Sequence, residues 1–109
     1  MIVQSEIIDI QEQGVILDLT MEGHLFKVYA YISEPDLERV ADIVPAEQFE
    51  KEGDVHVTAI ASPDEAQRQF EDLAFNMNIG DTLVFLCDDG TCLAAVLLAL
   101  GQTLDDGEA

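Results

Sequence analysis

Positive charge is what this chain most lacks. Its 109 residues include four Lys and Arg (Lys27, Arg39, Lys51, Arg68) against 23 Asp and Glu, a formal net charge of −19. A nucleic-acid binder that neutralises phosphates needs a Lys or Arg at each contact, so that class is excluded. Docking on an anionic lipid surface is excluded on the same ground. Long apolar runs are also missing, because Cys92–Leu100 is about half the length a bilayer-spanning helix requires. Met1–Glu6 carries no basic segment and no extended apolar run, so it does not read as a secretion signal, and a cytoplasmic location is expected.

Cysteine and histidine are scarce as well. His24 and His56 have no ligand-like spacing to Cys87 and Cys92, so neither a zinc site nor any other metal or cofactor is expected. There is no glycine-rich phosphate loop and no G-x-S-x-G nucleophile motif. Asp88-Asp89-Gly90-Thr91 lacks the ligand periodicity of a calcium loop, and Asp105–Glu108 is too short for one. These absences favour a binding protein over an enzyme. A small enzyme would need a carboxyl of raised pKa beside His24 or His56.

What is present is a core. Hydrophobic residues make up 49% of the chain, too many for a disordered acidic tail. The length suits one domain, expected over residues 1–101, with 102–109 as a fraying acidic tail. Period-two alternation places Ile8 and Ile10 in one strand, Val15, Leu17 and Leu19 in a second, and Phe26, Val28, Ala30 and Ile32 in a third. Turns at Gln13-Gly14 and Glu22-Gly23 would pair Ile10 with Leu17 and Ile8 with Leu19. Across the second turn they would pair Leu19 with Phe26, Leu17 with Val28 and Val15 with Ala30.

Ser33-Glu34-Pro35-Asp36 opens a helix whose buried stripe is Leu37, Val40, Ala41 and Val44, ended by Pro45. A fourth strand follows, where Val55, Val57 and Ala59 alternate with His56, Thr58 and Ile60. Ser62-Pro63-Asp64-Glu65 then repeats the helix-start signal for a stripe of Ala66, Phe70, Leu73, Ala74 and Met77, with Gly80 as its stop. Between Thr82 and Leu100 the only charges are Asp88 and Asp89, in a turn signal at Asp89-Gly90. A buried hairpin is the favoured reading of this stretch, with a Leu/Ala-rich helix over Cys92–Leu100 as the alternative. The order β-β-β-α-β-α-β-β gives an α+β domain, a largely antiparallel sheet of about six strands with two helices on one face.

A two-residue hairpin loop would set Cys87 opposite Cys92. A disulfide is then open to them, with two reduced core thiols preferred.

The acids form the unusual feature. Glu34, Glu38 and Asp42 recur one helical turn apart, opposite the apolar stripe, and Glu47, Glu50 and Glu52 extend the negative region. Like charges at i, i+4 destabilise a helix, so a function for them is expected. These six are the expected partner-binding residues, offered to a basic, nucleic-acid-handling protein such as a nuclease. Phage anti-restriction and anti-CRISPR proteins and toxin-immunity proteins are of this charge and size, though no family motif links the chain to them. The alternatives are a salt-adapted acidic protein and a dimeric structural or chaperone-like module whose surface includes Leu25, Tyr29 and Tyr31.

Overall fold

Alternation along the first third of the chain produces three strands, β1 (Val3–Gln11), β2 (Gly14–Met21) and β3 (His24–Ile32). The structure, a computed structural model, describes residues 3–32, 43–47 and 53–102. Glu22 and Gly23 both adopt positive φ, 50° and 82°. A turn of that hand matches the right-handed twist of the flanking strands. It fixes Met21 opposite His24, and the pairs Leu19–Phe26, Leu17–Val28 and Val15–Ala30 follow as the sequence pattern expects.

The first turn departs from expectation. Glu12-Gln13 makes it, so Gln11 faces Gly14 and Ile10 faces Val15 in place of Leu17. Gly14 is needed elsewhere: it lies in β2 opposite Tyr31, and a Cβ there would come within 2.3 Å of the Ala30 carbonyl oxygen. The surplus residue is absorbed at Ile8, where the register shifts between Ile7 and Asp9, so Ile8 does not face Leu19. Such a bulge bends an edge strand and disrupts its ladder. Ile7 still reaches the core, while Ile10 is 75% exposed.

The remaining elements are β4 (Val55–Ile60), α1 (Pro63–Asn76), β5 (Thr82–Cys87) and α2 (Gly90–Ala99). The domain is α+β as expected, with one sheet of five strands in the order β1-β2-β3-β5-β4. The sheet is mixed, because β5 enters between β3 and β4 and runs parallel to both. That insertion decides the disputed stretch. Both edges of β5 are occupied, so a following hairpin strand has no place beside it, and Cys92–Ala99 is helical with Leu100 as its C-cap. Asp89 starts α2 by accepting the Cys92 backbone N–H through Oδ1 at 2.9 Å. Leu and Ala, both strong helix formers, carry it onward.

Helix α1 begins as its sequence indicates. The Ser62 hydroxyl accepts the Asp64 N–H at 3.3 Å, Pro63 fills the first turn, and Glu65 accepts the Ala61 N–H at 3.3 Å.

The main core lies on one face of the sheet. Leu17, Leu19, Val28, Leu83 and Phe85 meet Phe70 of α1 and Val96 and Leu97 of α2, with Leu100 just beyond it. Each such side chain contributes about 1.5–3 kcal/mol on burial. On the opposite face Tyr29, Tyr31, Val84 and Leu86 are buried against Val44, with Ile43 beside them. Parallel crossovers are right-handed, so two that step in opposite directions across a sheet must use opposite faces. The β3-to-β4 connection, which contains Ile43 and Val44, passes over β5 on one face, and α1 returns to β5 on the other. Two helices on one face of the sheet are present as expected. The described helices α1 and α2 share a face, whereas Val44, last of the first predicted stripe, packs on the reverse side. The rest of that predicted helix lies outside the described residues, as does the tail from residue 103. Gln102, expected to fray, is tied to β1: its side-chain amide donates to the Ser5 carbonyl at 2.8 Å and hydroxyl at 2.9 Å.

Candidate functional site

Of the six expected partner-binding acids, Glu47 is described and is exposed. Glu34, Glu38, Asp42, Glu50 and Glu52 lie outside the described residues. The described carboxylates extend the negative surface well beyond that segment. Glu6, Asp9, Glu12, Glu22, Asp54, Asp64, Glu71, Asp72, Asp88 and Asp89 are all exposed.

Two backbone hydrogen bonds gather some of them at one end of the sheet. The Ile32 N–H donates to Gln13 O at 2.7 Å, holding the β1–β2 turn beside the end of β3. The Asp88 N–H donates to Ile60 O at 3.1 Å, holding the β5–α2 loop beside the end of β4. Glu12, Asp88, Asp89, Asp64 and Glu65 therefore share the edge where the parallel strands finish. Asp89 is held below the usual carboxylate range, first by the Cys92 backbone N–H it accepts.

The two described fixed cations do not offset this surface. Lys27 Nζ sits 2.9 Å from Asp18 Oδ1, and Arg68 lies 4.0 Å from Glu65 on exposed α1. The second pair is exposed and adds little to stability.

The opposite end of the sheet holds a constellation that motif reading missed. Asp81, only 3% exposed, sits at the start of β5 beside the start of β4. Its Oδ1 accepts the Asp54 N–H at 2.8 Å; its Oδ2 accepts the Asn78 N–H at 2.9 Å and faces His56 Nε2 at 2.8 Å. Burial pushes this carboxyl up, but the Asn78 and Asp54 amides and the His56 ring outweigh it and hold the group below its ordinary value. A general acid poised beside a histidine would need the reverse shift. Asp54, His56 and Asp81 place one donor atom each within 4.8 Å of one another, a set of two carboxylates and an imidazole that a divalent cation could use. Here the Asp81 carboxylate already engages the His56 ring and the backbone N–H groups of Asp54 and Asn78, and the arrangement works as a clamp between two loops. His56, on edge strand β4, is half-buried and paired with Asp81. The one sequence sign of Asp81 is its position, an acid directly before a charge-free run.

Three further expectations are resolved. Cys87 and Cys92 are both free and both buried. With α2 in place of a hairpin strand, the cross-strand geometry for a disulfide does not arise. Burial, then the neighbouring Cys92 and the Asp88 and Asp89 charges, pushes the Cys87 thiol up to about 12. Tyr29 and Tyr31 are buried under Val44 and form no outer surface; the Tyr31 hydroxyl donates to Gln11 Oε1. Leu25 alone of that trio is exposed.

His24 lines a groove of about 150 Å³ together with Met21, Glu22, Phe26, Ala74, Met77 and Ile79. Among the described residues no helix is long and apolar enough to cross a membrane. Comparison with protein-family models, curated proteins and solved structures gives no match to this chain.

Proposed function

We propose that this protein is a small acidic binding protein that docks on a basic, nucleic-acid-handling protein and blocks its nucleic-acid site. The observation that carries the reading is the carboxylate edge formed by Glu12, Asp64, Glu65, Asp88 and Asp89, contributed by the β1–β2 turn, the first turn of α1 and the β5–α2 loop. Neighbouring strands lie about 4.8 Å apart, so the acids that follow the adjacent strands β5 and β4 are separated on the length scale of the ~3.4 Å rise per phosphate of one nucleic-acid strand. The described cations leave that edge uncompensated apart from the long Arg68–Glu65 pair. The acids Glu34, Glu38, Asp42, Glu47, Glu50 and Glu52 follow β3 in the chain and remain the proposed partner-binding residues by sequence.

The test is capture of host proteins on the immobilised chain at low salt, followed by elution in high salt and a competition assay with duplex nucleic acid. Recovery of a basic nuclease that nucleic acid displaces supports the reading. Affinity that persists unchanged from low salt to ~0.5 M rules out charge mimicry, since exposed charges are screened within about 8–10 Å at physiological salt.

A second reading is favoured by a different observation. Exposed carboxylates also occur on β1, on α1 and at the far turn, Glu22, so the acidity is not confined to one edge. Such a spread suits a fold adapted to a salty solvent. Thermal melts with and without molar KCl separate the two: a cooperative, stable fold in dilute buffer counts against salt adaptation.

A further inference from the structure

The groove between the β2–β3 turn and the end of α1 is a largely apolar feature, among the described residues, that the acidic surface does not explain. Met21 and Phe26 come from the two strands beside the turn, Ala74 from the last turn of α1, and Met77 and Ile79 from the segment after it. Ile79 is 71% exposed, and Phe75, next to Ala74 in α1, is 87% exposed. Ile79 continues the apolar lining of the groove out to the surface, so that exposed and recessed apolar groups are contiguous there. The groove's size, about 150 Å³, is that of a core cavity that admits benzene, so it takes one apolar side chain and not a second domain.

The sign of charge around it selects the occupant. Glu22 and His24 line the groove, and Glu71 and Asp72, exposed on the preceding turn of α1, leave its surroundings net acidic. Lys27 is engaged by Asp18, and Arg68 lies farther back along α1 beside Glu65. A second copy of the chain would bring another −19 to this rim. The chain's own segment 103–109 would bring Asp105, Asp106 and Glu108. Both are repelled. A cationic segment with one large apolar residue satisfies both the rim and the groove.

We infer that this groove seats the apolar anchor residue of a cationic, amphipathic segment on the partner. The inference rests on the proposed capture of a basic protein, and it adds the means by which that capture gains specificity beyond charge. Charge sets encounter and salt sensitivity, while a buried apolar anchor sets residence time.

The experiment uses the protein's lack of tryptophan. Two arginine-rich helical peptides are titrated into the full chain, one with a single tryptophan on its apolar side, the other with serine there. The tryptophan peptide is expected to bind about tenfold more tightly, with its emission shifted to the blue as the ring enters the groove. Ile79→Ser, at an exposed position, should remove that advantage and the shift. Ile10→Ser, on the far edge strand, should leave both unchanged. Equal binding of the two peptides, or a blue shift insensitive to Ile79→Ser, overturns the groove while leaving salt-dependent capture of basic partners standing. Failure of both peptides to bind at low salt overturns the capture reading and this one together. A dimer in sedimentation that Ile79→Ser converts to monomer overturns the cationic occupant in favour of a second copy.

Discussion

His56 Nε2 stands 2.8 Å from Asp81 Oδ2, and that contact joins the start of edge strand β4 to the start of its interior neighbour β5. It is one bond of a set. The Asp54 N–H reaches Asp81 Oδ1, and the Thr82 N–H reaches the Asp54 carbonyl at 2.9 Å. A buried carboxylate is costly unless its oxygens are occupied, and here backbone amides and an imidazole occupy them. The clamp fixes how the β4 edge meets the sheet at the end opposite the carboxylate edge.

A pH dependence follows. Asp81 titrates below its ordinary value in the folded chain, so its contribution is complete above the unfolded carboxylate range and is lost as pH falls through the folded value. Asp81→Asn should cost about 2 kcal/mol at neutral pH, because an amide cannot accept from Asp54, Asn78 and His56 together. The difference from the native chain should shrink below about pH 4, the unfolded carboxylate range. Urea unfolding of both proteins across a pH series measures it; a difference that stays constant into acid would remove the clamp from the acid response.

Gly53 makes the same junction sterically demanding. Its φ is +118°, and a Cβ there would lie 2.5 Å from the Gly80 carbonyl oxygen. Gly53→Ala therefore has to strain the backbone and part the two loops. A loss of about 2 kcal/mol is expected, read as a lower urea midpoint with unchanged slope. An alanine tolerated at no cost would mean the loops are not held so closely.

The thiols should be silent. Cys87 is fully enclosed and its pKa is about 12, and Cys92 is raised too, chiefly by burial. The thiolate is the reactive species, so a disulfide-exchange reagent at pH 8 should label neither cysteine until denaturant is added, when both should react. Rapid labelling of the folded chain would show that the β5–α2 junction opens.

Val44 tests the cover on the second face. It is 1% exposed against Tyr29, Tyr31, Val84 and Leu86. Val44→Ala removes two methyl groups and leaves a small void, a cost of about 2 kcal/mol and several degrees in melting temperature. A change under about 0.5 kcal/mol, the range of ordinary surface substitutions, would indicate that this face is open to water.

Local chemistry was readable in the sequence because it depends on near neighbours. Alternation in residues 15–32 marks which side chains of β2 and β3 face the core, and Glu22-Gly23 holds their register residue by residue. Ser62-Pro63 begins α1 through bonds to the next few amides. The net charge of −19, and the classes of partner it excludes, belongs to composition alone.

Tertiary structure decided whatever depends on a distant neighbour. Gly14 looks like a turn residue until the Ala30 carbonyl is packed against it. Cys92–Leu100 suits either strand or helix until β5 is seen between β3 and β4, with no edge left to pair. Tyr29 and Tyr31 read as surface until a crossover on that face brings Val44 over them. Asp81 was one acid among 23, and only the meeting of two loops far apart in the chain made it the buried one. Periodicity and capping are local and sequence carries them; strand order and crossover face are long-range choices, made by which surfaces the whole chain can bury at once.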